Sequence, residues 1–184
     1  MQKKTLDSVG SDTDPNETES AGYSSPPCYA HEVDPNYFMA PQPMPAQELI
    51  QFLNTLLEAE RAGAKTITYY LRSTPDGAVQ TALASTGRDE ARYTALLRRL
   101  IDRLGGTPSA ATGSFYDKAR AIEDGSERLA FLNRGQAWVA RKLGEALPRI
   151  EDPEIREPLR EMHETHLRNI ASCAEAAEEL EKKR

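Results

Sequence analysis

PAQELIQFLNTLLEAERAGAKTITYYLR, residues 45–72, is the stretch on which the fold turns. At about 100° of rotation per residue, Leu49, Leu53, Leu56, Ala64, Ile67 and Leu71 fall within about 40° of one direction, which makes one apolar face on a long helix. Glu60 lies at the centre of that face. A carboxylate there must be paired or shared, because an isolated charge is costly to remove from water. Three further stretches repeat the arrangement. Val79, Leu83, Thr86, Tyr93, Leu97, Ile101 and Leu104 surround Glu90, and Leu129, Leu132, Val139, Leu143 and Leu147 surround Gln136. Ile155, Leu159, Met162, Ile170, Cys173 and Leu180 surround His166. Each of the four polar residues stands about ten to sixteen residues from a helix end, which at about 1.5 Å per residue gives them similar depth in a bundle. The pattern therefore predicts four helices around one shared polar site.

The punctuation between these stretches sets the connections. The first helix is expected from about Pro45 to Arg72, ended by Pro75 and Gly77. The second runs from about Ala78 to Leu104 and stops at Gly105 and Gly106. The next connection, holding TPSAATG and a short amphipathic piece with Phe115, Tyr116, Ala119 and Ile122, is too long for a hairpin and reads as a crossover. The third helix is expected to start near Ser126 as N-cap and to end around Pro148. Asp152 and Pro153 form an N-cap and N1 pair for the fourth, whose start Pro158 would delay or kink. Residues 1–27, with five acidic residues against Lys3 and Lys4, read as a disordered acidic tail. Residues 28–45, apolar but broken by proline, read as an extended arm packing on the bundle of residues 46–182.

Composition agrees with a helical protein and excludes several classes. Charged residues make up 28% and aromatics 7%, which suits helices better than a β sandwich. A net charge of -6, with Glu and Asp interspersed among the arginines, argues against nucleic-acid binding. No stretch approaches a membrane span and the N-terminus lacks the apolar run of a signal peptide, so a soluble cytoplasmic protein is expected. Cys28 and Cys173 make no disulfide framework, and Cys173 reads as a small buried hydrophobe. No nucleophile elbow, phosphate-binding loop or dinucleotide fingerprint is present.

Two carboxylates and an imidazole are ligands suited to iron, manganese or zinc. His163, three residues before His166, shares its side of the helix and offers a second imidazole as ligand or support. Tyr93 stands in the same relation to Glu90. Taken singly, each residue has an ordinary structural explanation: a glutamate that pairs with an arginine, a glutamine bonded across the core, a satisfied core histidine, a packing tyrosine. Together they leave two readings open, a shared metal site and a metal-free polar network completed by an arginine. A third is a small-molecule pocket in which Glu60 and Glu90 hold a basic ligand. A rival tetrahedral zinc site would join Cys28-x-x-His31 to His163-x-x-His166. His31 and Glu32 could also cap a mid-bundle site from the arm.

EAERAGAKTITYYL, RDEARYTALLRRLI and REMHETHLRNI resemble the first, second and fourth ligand helices of the ferritin-like, rubrerythrin-like superfamily. The arm, CYxHE-D, and the helix LNRGQxWVxRKLxEALPRI resemble an uncharacterised bacterial branch of it. The resemblance spans roughly residues 46–180 and implies an all-α, ferritin-like four-helix bundle with a crossover between helices two and three. The superfamily places one Glu on each of two helices and Glu-x-x-His on each of the other two. Glu60, Glu90 and His166 match three of those positions. Tyr93 replaces a His, Gln136 a Glu and His163 a Glu, which leaves a degenerate pattern suited to one ion rather than two. The resemblance thus implies iron or manganese, or zinc, held by Glu60, Glu90 and His166 with His163 or Gln136 helping. Open positions would admit oxygen, peroxide or water, and Tyr93, as catalytic residue, would supply a proton or a hydrogen bond. Iron storage is not expected, since nothing marks a carboxylate-rich cage interior. The expected partners are a small-molecule substrate and, permitted by the mixed-charge helix faces, a second copy in a homodimer.

Overall fold

The computed structural model describes residues 41–75 and 77–182. The tail of residues 1–27, and the part of the arm that carries Cys28, His31 and Glu32, lie outside the described residues. Four long helices form an all-α bundle: α1 (Ala46–Leu71), α2 (Ala78–Arg103), α4 (Gly125–Ala146) and α5 (Pro153–Lys182). The short α3 (Phe115–Arg120) lies in the long connection between α2 and α4, and a 3-10 turn (Leu147–Arg149) follows α4. Short turns make α1–α2 and α4–α5 antiparallel pairs, with α2 against α5. Residues 105–124 cross over to join the two pairs, as the spacing predicts.

Periodicity explains why these segments bury the faces they do. Leu53, Leu56, Ile67, Leu83, Leu97, Ile101, Leu129, Leu143 and Leu159 are all essentially inaccessible, and each falls on the predicted stripe. The stripe is wider than expected on α1, where Leu57, Ala62 and Tyr70 are buried as well, while Ala64 and Leu71 sit at the boundary. The apolar core is divided. One cluster gathers Leu49, Leu53, Leu56, Leu57, Tyr93, Leu97, Ile101, Leu143 and Met162. The other gathers Ile67, Tyr70, Leu83, Leu129, Leu132 and Cys173. The buried polar side chains are Glu60, Thr66, Thr86, Glu90, Gln136, Thr165, His166 and Asn169. They belong to neither cluster.

The ends differ from expectation in two places. The N-cap of α4 is Asp124, whose Oδ1 accepts from the Glu127 backbone N–H at 3.0 Å. Ser126 is already helical and its hydroxyl has no partner, because a cap must stand outside the first turn to reach the free N–H groups. α5 begins at Pro153 without delay, with Asp152 Oδ1 accepting from the Glu154 N–H at 2.9 Å. Pro158 lies inside α5 and removes the one helical bond to the carbonyl of Glu154, an exposed residue of the first turn.

The crossover is stitched to the outer face of α1. Asn54 donates through Nδ2 to the Thr107 carbonyl (3.1 Å) and accepts from the Ser109 N–H (2.6 Å). Ser109 Oγ donates to Glu58 at 2.5 Å, Arg61 donates to the Ser109 carbonyl, and Lys65 reaches Thr112 at 3.1 Å. Gly105, at φ +73°, adopts the left-handed conformation that turns the chain out of α2. Residues 41–45 run beside the 3-10 turn, with the Met44 N–H donating to the Arg149 carbonyl at 2.8 Å. No described helix is long and apolar enough to cross a membrane.

Candidate metal centre

Glu60 on α1, Glu90 on α2, Gln136 on α4 and His166 on α5 are in phase with the leucines that pin each helix face inward, so they are carried inward too. Their exposures are 0%, 3%, 3% and 1%. One ligating atom each from Glu60, Glu90 and His166 lies within 4.8 Å of the others. The structure thus brings together the three groups on which the sequence argument rests, with Gln136 beside them.

Hydrogen bonding fixes the orientation of His166. Its Nδ1 is 2.9 Å from the Met162 carbonyl, which can only accept, so Nδ1 carries the proton and donates. In the neutral ring Nε2 then presents its lone pair to Glu60 Oε1, 3.2 Å away. A backbone carbonyl holding one imidazole nitrogen so that the other is free is a common support for metal-binding histidines. Gln136 Nε2 donates to Glu90 Oε1. Glu60 Oε2, Glu90 Oε2 and Gln136 Oε1 are buried with no donor among the described residues. As carboxylates the converging oxygens are acceptors, and a proton shared between Glu60 and Glu90 or a cation would satisfy them. Among the described residues no arginine or lysine pairs with either carboxylate, so the arginine of the metal-free reading is not there; His166 Nε2 would pair with Glu60 only if the ring were doubly protonated.

The electrostatics follow from that lack. Burial pushes the Glu60 carboxyl up to about 8, with a hydrogen bond from Glu90 pulling the other way and Asp89 adding a little. Burial also holds Glu90 well above the carboxylate range. The neighbouring Glu60 raises it further, while His166 and the Gln136 amide oppose. The pair must hold a proton or a cation near neutrality, since bare carboxylates this close and this dry repel. An all-oxygen and imidazole donor set with orphaned buried oxygens fits a divalent cation such as iron, manganese or zinc.

Gly63 makes room for this arrangement. A Cβ at that position would lie 2.6 Å from Glu90 Oε2 and 2.7 Å from its Cδ. The Glu90 carboxyl therefore rests against the α1 backbone one turn beyond Glu60, where only glycine leaves space. Sequence reasoning missed Gly63, although an unforced glycine three residues after a stripe-centred glutamate in a helix is a readable signal.

The other candidates are placed differently. Tyr93 is buried with its ring centroid 5.9 Å from that of His166. Its hydroxyl donates to Thr165 Oγ1 at 2.8 Å and lies 3.4 Å from the Glu161 carbonyl, so both of its bonds are to α5. His163 is half-buried and its Nε2 lies 3.6 Å from where a Cβ on Gly144 would be. It stands outside the group formed by Glu60, Glu90 and His166. Cys173 is a free, buried thiol 3.8 Å from Thr86 Oγ1. The rival zinc site depends on Cys28 and His31, outside the described residues. A cavity of about 480 Å³ reaches the site between α1 and α4, with Glu60, Glu90 and Gln136 among its walls.

Four helices joined pairwise through a crossover, with carboxylates and imidazole converging at mid-depth, define a ferritin-like bundle that could hold a metal ion. A solved structure supports the fold: a ferritin-like, diiron-carboxylate protein from Bacillus anthracis str. Ames superposes with a TM-score of 0.53 at 19% identity, over 74% of this chain and 95% of that one. Within that class the chain belongs to the family described as Domain of unknown function (DUF6306), whose model matches residues 47–176. A comparison with curated protein sequences returned no match.

Proposed function

We propose that this protein is a metal-dependent oxidoreductase that binds one iron or manganese ion at Glu60, Glu90 and His166 and acts on oxygen or peroxide. The observation that carries the reading is the convergence of buried acceptors without a donor: Glu60 Oε2, Glu90 Oε2 and Gln136 Oε1, beside the Nε2 of His166. An ion held there would supply Lewis acidity and, for iron or manganese, a change of one electron. The protein's own part is positional. Met162 orients the imidazole, Gln136 holds Glu90, and Gly63 lets that carboxyl approach α1. The apolar clusters to either side leave Glu60 and Glu90 almost without solvent exposure. Protein loaded with ferrous iron without air and then given oxygen or peroxide should consume the oxidant with turnover. His166→Ala should abolish it; consumption equal to that of free iron in both proteins would refute the reading.

A second reading is a metal-free structural network. The bonds from Gln136 to Glu90 and between His166 and Glu60 favour it, since a shared proton or a bridging water would complete them. It predicts that no ion is retained after loading and dialysis.

A further inference from the structure

The cavity that ends at Glu60 and Glu90 has a second chemistry at its other end. Phe115 of α3 stacks on Phe131 of α4, centroids 4.4 Å apart and planes at 21°, and the ring of Phe115 covers Gly135, beside Gln136. Phe115, Phe131 and Trp138 give the cavity apolar aromatic walls. One helical turn beyond each phenylalanine stands an exposed cation, Lys118 and Arg134, and both line the cavity. Neither has a carboxylate partner among the described residues. Arg134 instead lies over the face of Phe131, 5.3 Å from its centroid. Glu58, half-buried in the cavity wall, accepts the Ser109 hydroxyl. The exposed charged side chains of the cavity wall are thus both cations, opposite to what a basic ligand would need.

We propose that this cavity binds an amphipathic monocarboxylate, its apolar body along Phe115, Phe131 and Trp138 and its anionic head between Lys118 and Arg134. A volume of about 480 Å³ accommodates a medium-length chain or an aryl acid, within the size range of small-molecule sites. The ligand's far end then lies toward Glu60 and Glu90. That last placement rests on the oxidoreductase reading, whereas binding itself does not.

Trp138 is the only tryptophan and stands in the cavity wall, so its emission reports occupancy directly. The full chain is titrated with decanoate, decanol and decylamine, each in iron-loaded and in chelator-treated protein. Decanoate is expected to change Trp138 emission saturably at one equivalent in both forms, with decanol and decylamine at least about tenfold weaker. The surface double variant Lys118→Gln/Arg134→Gln should lose about tenfold in decanoate affinity, while its melting temperature falls by no more than about 4 °C, the share of the contact between Arg134 and Phe131. Equal binding of decanol and decanoate, or an unaltered affinity in that variant, would overturn the proposal. Binding without retained metal would defeat the oxidoreductase reading alone; retained metal without binding would defeat only this one.

Discussion

Glu60 and Glu90 are kept close by a glycine and kept dry by leucines, and the consequences can be measured residue by residue. Gly63→Ala should strengthen α1 by up to about 1 kcal/mol in isolation. Its methyl group would collide with the Glu90 carboxyl, however, so metal affinity should fall about tenfold or more, as it does when the support of a ligand is lost. Unchanged affinity in a competition titration would mean that Glu90 is not held where described. The raised carboxyls also set a pH dependence in metal-free protein. Their folded forms keep protons that the unfolded chain gives up above 4.5, so stability falls as pH rises from there toward about 8. For Glu60 the slope is at most about 1.4 kcal/mol per pH unit, or roughly 3–6 °C of melting temperature per unit in a chain of this size. Glu60→Gln should flatten the profile across that window, and a profile as steep as the parent's would contradict the assignment.

At the level of helices and their connections, the alternative N-caps of α4 separate cleanly. Asp124→Ala should cost about 1 kcal/mol, hence roughly 2–4 °C, whereas Ser126→Ala, which removes an unpartnered buried hydroxyl, should be neutral or slightly stabilising. Equal losses measured by thermal melting would return the cap to Ser126. The difference shows what could be seen in advance. Leu53, Leu97, Leu143 and Leu159 betrayed their helices through period alone, and Gly105 and Pro153 betrayed their ends through backbone chemistry. Asp124 and Ser126 are both good caps by residue type. Which one serves depends on where α3 delivers the chain, and that is a tertiary fact. The row Asn54, Glu58, Arg61 and Lys65 looked like ordinary solvated surface, yet it fastens the crossover. Polar spacing on an outer face carries no mark of what lies upon it.

On the scale of the whole molecule, the convergence of Glu60, Glu90, Gln136 and His166 was legible because four helices of similar length must align residues of similar depth. Side-chain direction was not. Tyr93 shares the face of Glu90, but its hydroxyl is taken by Thr165, and His163 turns toward Gly144 rather than the carboxylates. Neither outcome follows from helical phase, which fixes where a side chain starts and not where its polar end goes. A mid-bundle pocket at Glu60 and Glu90 could be imagined from the sequence, but its aromatic wall could not, since Phe115 stacks on Phe131 across elements distant in sequence. A cation bound only by the folded bundle would stabilise it by mass action, by about 2.7 kcal/mol at a free concentration a hundred times its dissociation constant. The most direct test is the metal content of protein purified without a metal-binding tag, loaded with iron or manganese in the absence of air, dialysed, and analysed by mass spectrometry. One ion per chain is expected, falling to near zero in both Glu60→Ala and His166→Ala while each variant keeps its helical content. A parent protein that emerges without metal, or variants that retain it in full, would contradict the account.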